Sequence, residues 1–318
     1  MNAGPRTGLI GAAVGATFWV LSLAWQVEGL RSMAWSAALL GLAALALAPL
    51  VLDLAGEVGE GGISRRLLDW ARLLHMPAAV MLAVSLRLEP GWVAAALVMP
   101  WLGLAGMLAV AGAVRIGRRG VWPLASLVRD AGLVMLVVGG AWTVADRLGL
   151  RPMGFGADIV QLTAVHFHYA GLVLPVVAAC VLAEFPNSRS AATAGVGVLA
   201  GVPLVAIGIT AAQAGHGSWG ELVAALVLAP SAMLVGFLQL RLAFQRRWPR
   251  VVQVLWIVSG TSLMFGMGMA LLYAARAHTL PLPWLDIPWM RALHGTVNAL
   301  GFALCGTLAW SLARRSRG

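Results

Sequence analysis

Ten stretches of apolar sequence, each about 20 residues long, follow one another along this 318-residue chain. A run of that length is what an α-helix needs to cross a bilayer core, and inside lipid only helices and closed barrels satisfy every backbone N–H and C=O. The runs occupy 8–25, 34–54, 68–86, 91–114, 124–145, 157–183, 192–212, 219–243, 251–275 and 288–311. This spacing predicts an all-α, polytopic transmembrane bundle of about ten helices. The third run is the weakest, because Asp69, Arg72 and His75 crowd its start. Arg6 ahead of the first run is compatible with a signal peptide, but no small-residue cleavage site follows, and a retained helix is expected.

Composition excludes the alternatives. Hydrophobic residues make up 60% of the chain and charged residues 11%, against roughly 45–50% and 25% in soluble domains. Too few charges remain to coat a water-facing surface, which rules out an ordinary soluble enzyme and a disordered chain. The net charge of +10 does not imply nucleic acid, because the basic residues sit in short patches between the apolar runs. All 22 of them are arginine. With ten spans and the N-terminus inside, 16 fall on one side, and six (Arg31, Arg87, Arg147, Arg151, Arg276 and Arg291) on the other. That asymmetry follows the positive-inside rule. The expectation is a multi-pass protein of the cell membrane with both termini cytoplasmic and the lipid bilayer as its partner. Many of the 14 Trp lie near run ends, as interfacial anchors do. Cys180 and Cys305 lie inside apolar runs and suggest neither a disulfide nor a thiolate metal site. The longest polar stretch, roughly 55–67, is glycine-rich and reads as a flexible cytoplasmic loop. With no connection long enough for a soluble domain, residues 1–318 are expected to form a single membrane domain.

The chain also echoes itself. At an offset of 128 positions, Asp158-Ile-Val-Gln-Leu-Thr-Ala-Val-His166 lies over Asp286-Ile-Pro-Trp-Met-Arg-Ala-Leu-His294, Gly132 over Gly260 and Gly140 over Gly268. Each half reads as a helix, an outer loop, then a helix entering at an aspartate. The offset spans four helices, so the expectation is a parallel repeat of helices five and six by nine and ten, with a site where the repeats meet. If both segments are α-helical, each histidine lies about 12 Å below its aspartate.

These two helices carry the densest intramembrane polar sets: His166, His168 and Tyr169 on the sixth, His294 and Asn298 on the tenth. Ionisable groups are costly in lipid and usually face a bundle interior or a wet cavity. His166 and Tyr169 are spaced i, i+3, and His294 and Asn298 i, i+4, so each pair shares a face. His168 points about 200° away from His166. Histidines two apart are poorly placed to bind one metal, and no Cys or carboxylate run completes a zinc or di-iron set, so no metal site is expected. Bis-histidine haem ligation by His294 with His166 or His168 stays open, and the cofactor is otherwise undetermined. General acid–base chemistry fits best, since His titrates near neutrality and Tyr can donate a proton. The competing use is an interhelical hydrogen-bond network that holds the bundle together. His166, Tyr169, His294 and Asn298 are expected to line one cavity opening toward the outer half of the bilayer, with His168 bracing its wall or completing the same polar cluster. Asp158, Asp286 and Glu221 stand near its outer level as candidate substrate contacts. Ser218 and Glu221 also have the form of a capping box. Arg129, Asp130 and Asp53 are expected to pair structurally or snorkel near the cytoplasmic boundary, and His75, His216 and His278 to be solvated. Met264, Met267 and Met269 read as packing.

Leu162-Thr-Ala-Val-His-Phe-His-Tyr-Ala-Gly171, with His294-Gly-Thr-Val-Asn-Ala-Leu-Gly-Phe302, resembles the YndJ-like integral membrane proteins. Leu199-Ala-Gly-Val-Pro-Leu-Val-Ala-Ile-Gly208 and the region of Trp142 carry the likeness over most of 120–311. The resemblance implies a multi-pass fold and supports the site residues rather than any one reaction.

Two function classes follow. One is an enzyme doing acid–base chemistry, of isomerisation or cyclisation type, on a lipidic or isoprenoid-like molecule. The absence of paired Asp-rich motifs from the sequence disfavours magnesium-dependent prenyl transfer. The other is a transporter or sensor for a small solute, proton-coupled through the histidines, with Pro100, Pro175, Pro203 and Pro230 as signals of broken helices.

Overall fold

A computed structural model describes residues 6–24, 29–56, 61–279 and 281–316, with Arg6 described by its backbone alone. Residues 57–60 of the expected loop and Arg317 of the arginine count lie outside the described residues. Among those described, the chain forms ten helical rods and no strand. They are α1 Arg6–Leu23, α2 Met33–Ala55, α3 Gly62–Ser85, α4 Trp92–Arg119, α5 Leu124–Arg147, α6 Ala157–Glu184, α7 Arg189–Gln213, α8 Trp219–Ala243, α9 Arg250–Ala275 and α10 Ile287–Arg315. Nine are long and apolar enough to cross a membrane, and α1 is a shorter apolar helix. The protein is an all-α polytopic membrane protein.

Helix ends follow local chemistry. Ser188 opens α7 by accepting from Ala191 N at 3.3 Å, and Asp286 opens α10 by accepting from Trp289 N at 2.9 Å. Gly120, at φ +69°, closes α4 in the left-handed region that a Cβ resists. The glycine-rich loop is shorter than expected, because α3 already begins at Gly62. Asp69 pairs with Arg65 at 3.6 Å and Arg72 at 2.9 Å, and i, i+3 and i, i+4 pairs of this kind favour helix over loop.

Three rods depart from α geometry, and they stand four apart in sequence. Widened π segments occupy Ala43–Leu47 in α2, Tyr169–Val173 in α6, and Arg291–Gly295 and Val297–Leu304 in α10. Pro49 and Pro175 follow the first two within a turn. Proline offers no N–H to the carbonyl four residues back and clashes with it, and a wider turn relieves both. The other prolines named as break signals, Pro100, Pro203 and Pro230, run through continuous α-helix instead. At the offset of 128, Tyr169–Val173 falls on Val297–Gly301, where the last π segment starts. The π segment Arg291–Gly295 also means that the α-helical rise assumed between Asp286 and His294 does not apply there.

The chain folds as two compact units, Met1–Glu28 with Ser36–Val176, and Gly29–Trp35 with Val177–Gly318. In the first, α3, α4 and α5 pack as successive hairpins, α5 meets α6, and α1 lies on the π segment of α2. Gly132 brings α5 against Pro175 and the Leu172 carbonyl. Buried Asp130 (1% exposed) joins helix ends by accepting from Arg115 at 3.2 Å and Arg129 at 2.9 Å, while Arg115 also donates to Ala55 O at 3.0 Å. Asp53 accepts from Gly8 N at 2.9 Å. In the second unit, α7, α8, α9 and α10 pack in sequence, with Gly201 set against Leu228 and Gly236 against Gly260.

Candidate functional site

In the first unit Trp101, His168, Tyr169 and His75 each have hydrogen-bond partners within the unit. Trp101, in the middle of α4, donates from Nε1 to His168 Nε2 at 2.8 Å. An indole nitrogen can only donate, so His168 Nε2 is the unprotonated nitrogen of its ring. Its Nδ1 therefore carries the hydrogen and gives it to Ala164 O at 2.7 Å. His168 is thus a neutral imidazole with both nitrogens engaged, and it is 1% exposed. Gly139 makes room for it, since a Cβ there would stand 2.9 Å from Nδ1.

Tyr169, at the start of its π segment, donates its hydroxyl to Leu39 O at 2.8 Å. His75 is also buried, at 3% exposure, which corrects the expectation of a solvated residue. Its Nε2 lies 2.7 Å from Ala44 O, and facing a carbonyl it must donate. Ala44 belongs to the π segment of α2, where Ala48 N–H bonds to Ala43 O and leaves the Ala44 carbonyl open to a side chain. The His75 ring meets Trp101 edge-on at 6.3 Å, so His75, Trp101 and His168 form one continuous cluster. His166 is half-buried, its ring edge-on to Phe167 at 6.0 Å.

In the second unit His294 is placed differently. Its Nδ1 is 2.8 Å from Gly266 O and donates to it. In the neutral ring Nε2 then holds a lone pair. Asn298, on the same face, donates from Nδ2 to His294 O at 2.9 Å. Its Oδ1 is buried with no hydrogen-bond partner among the described residues. Gly266 is what admits this amide, because a Cβ there would overlap Asn298. One residue past Gly295, Thr296 Oγ1 accepts from Trp35 Nε1 at 2.8 Å. Arg291, 4% exposed, donates to the Arg31 carbonyl.

The remaining candidates sit at helix ends. Asp158 lies in the first turn of α6, and Asp286 is the cap of α10. Glu221 lies in the first turn of α8, but the capping box expected with Ser218 does not form. The Ser218 hydroxyl lies instead 3.1 Å from Nε2 of His278, whose ring packs on Trp219 at 4.1 Å. That contact also removes His278 from the solvated set, whereas His216 is exposed. Among the described residues, no three His, Cys, Asp or Glu side chains converge on one point.

Of the predicted set, His166, His168 and Tyr169 belong to the first unit, and His294 and Asn298 to the second. Sequence reasoning passed over His75, Trp101 and Gly266. Trp101 carried a usable signal: it stands at the middle of its run, where interfacial anchoring does not explain a tryptophan.

Comparison with known proteins agrees with this architecture. Residues 38–302 match the family described as YndJ-like protein. The chain is 28% identical over 182 residues to the uncharacterized membrane protein YndJ of Bacillus subtilis (strain 168). That match covers 57% of this chain and 32% of the relative, so the chain spans about a third of that protein's length. No solved structure matches. The family match covers seven of the ten rods in full, α6 among them, and α10 as far as Phe302, and on that extent the chain belongs to the YndJ-like family.

Proposed function

We propose that His294 is the proton-accepting centre of a membrane-embedded site that does acid–base chemistry, of isomerisation or cyclisation type, on a lipidic or isoprenoid-like substrate. The observation that carries this is the asymmetry of its ring. Nδ1 is committed to Gly266 O, which fixes orientation and tautomer and leaves the Nε2 lone pair free for a substrate proton. The unpartnered Asn298 Oδ1 beside it suits a hydroxyl or a developing positive charge. His168 and Tyr169 have their polar atoms engaged, and on this reading they brace the first unit, where His166 is a separate acid–base candidate. Asp286 and Glu221, in the same unit as His294, would stand on the substrate side, near the outer interface of a cell-membrane protein whose termini are both cytoplasmic.

A second reading, proton-coupled transport of a small solute, draws support from the π segments of α2, α6 and α10, since such interruptions occur often where helices do functional work.

Lipid extracts from cells lacking the protein, complemented with the native chain, His294→Ala or His294→Gln, test the first reading. One lipid species should build up without the protein, disappear on complementation, and build up again with both variants while membrane levels of protein stay equal. A lipid profile that His294→Gln leaves native would end the proton-transfer role. For transport, solute uptake by proteoliposomes under an imposed pH gradient, with no lipid change, would replace the first reading by the second.

A further inference from the structure

α9 and α10 run antiparallel within the second unit, and their seam is polar over most of its length. From the His294 end, Gly266 faces Asn298, Gly301 faces Ser262, and the Ser259 hydroxyl lies 3.0 Å from Phe302 O and 3.2 Å from Gln239 Oε1 of α8. Farther on, the Trp256 ring stands edge-on to Trp310 at 4.9 Å.

Along this seam Asn298 Oδ1, Gln239 Nε2, Trp256 Nε1 and Trp310 Nε1 have no partner among the described residues. Their residues are 8%, 0%, 0% and 3% exposed. Ser311 Oγ, one residue beyond Trp310, is in the same condition. A bilayer interior supplies no bulk water to such groups, and leaving them unsatisfied is costly. The set mixes N–H donors with a carbonyl acceptor and is spread over several turns of helix. A lone ion complements one sign of partner and an apolar chain neither, whereas water donates and accepts and bridges buried polar groups in this way.

We infer that the α9–α10 seam, with Gln239 of α8, holds a file of bound waters that carries protons between His294 and the end of the unit bearing Arg314 and Arg315. A proton leaving His294 Nε2 for the nearest water is matched by one released from the last water of the file, so the waters are unchanged after each transfer. The waters rest on the geometry alone, while their proton traffic rests on the reading of His294 as a proton acceptor.

Hydroxyl-radical footprinting of the full chain in lipid nanodiscs tests the file, since radicals born from bound water oxidise the side chains they touch. Trp101 is as buried as Trp256 but has its N–H engaged by His168, which makes it an internal control. Trp256 and Trp310 should be oxidised several-fold faster than Trp101, and Gln239→Leu should cut oxidation of Trp256 several-fold. Equal rates at all three tryptophans would overturn the file. So would a higher melting temperature in Trp310→Phe or Gln239→Leu, because that is what removing a truly unpaired donor does. If the file is labelled and Gln239→Leu slows lipid conversion several-fold, the proton role stands. Conversion untouched by Gln239→Leu overturns that role. Lipid conversion that depends on His294 beside unlabelled tryptophans ends the file and leaves the His294 reading intact.

Discussion

At Gly266 the backbone of α9 comes so close to α10 that an added Cβ would overlap the Asn298 amide, while the same residue's carbonyl takes the His294 Nδ1 hydrogen. Both functions of the position depend on close approach, so Gly266→Ala is expected to cost about 1–3 kcal/mol by overpacking and to turn Asn298 away. Thermal melting in detergent reads the first effect, and loss of His294-dependent lipid conversion the second. In the first unit Trp101→Phe keeps most of the ring and removes the donor, leaving His168 Nε2 unpaired at 1% exposure. The expected loss is about 1–2 kcal/mol, in the range of interhelical hydrogen bonds in membranes, and a melting temperature at the native value would show that this bond contributes nothing. The contrast explains what could be read of the site in advance. Histidine and asparagine stand out in apolar runs because lipid penalises them, so the residues were legible. Their protonation was not, because it is set by carbonyls such as Gly266 O and Ala44 O, which belong to other helices and leave no mark on the sequence.

Helices as elements were legible almost completely, since about 20 apolar residues admit one solution in lipid. The ten expected runs correspond one to one with α1 to α10. What patterning could not show is which rods leave α geometry, because a π segment and an α-helix draw on the same Leu and Ala. Even proline was ambiguous: Pro175 follows a π segment, whereas Pro203 and Pro230 sit in unbroken helix. The π segment of α2 has a definite consequence, because the widened turn frees Ala44 O to receive His75 at 2.7 Å. Pro49→Ala removes the ring that a wider turn accommodates, so α2 should close into regular α-helix there and return the Ala44 carbonyl to Ala48 N–H. His75 would then lose its acceptor while still buried, at an expected cost of about 1–3 kcal/mol. If Pro49→Ala instead left the melting temperature unchanged, the π turn would not be the source of that bond. Asp130 gives a stronger expectation at the neighbouring helix ends. Asp130→Asn leaves Arg115, 2% exposed, without its carboxylate, and breaking a buried ion pair from one side costs about 3–5 kcal/mol.

For the whole molecule, the threading turns on α1. Its 18 residues span about 27 Å at 1.5 Å per residue, against a hydrocarbon core of about 30 Å, so it is the one rod whose crossing length alone does not guarantee. The other nine fix relations that hold whatever α1 does. Arg118 lies at the last turn of α4, Gly154 beyond α5, and Ser316 beyond α10, so one helix separates the first two and six separate Arg118 from Ser316. Reporter fusions at Arg118 and Ser316 should therefore report the same side, and Gly154 the opposite one. On the positive-inside rule, the 16-to-6 division of the 22 arginines leads us to expect Arg118 and Ser316 in the cytoplasm. An N-terminal tag then isolates α1: ten crossings place it with Arg118, and nine place it with Gly154. Arg118 and Gly154 on one side would remove α5 as a span and with it the depth assigned to His166. A tag outside with Ser316 inside would remove only α1, and would leave α2 to α10 and the His294 seam in place.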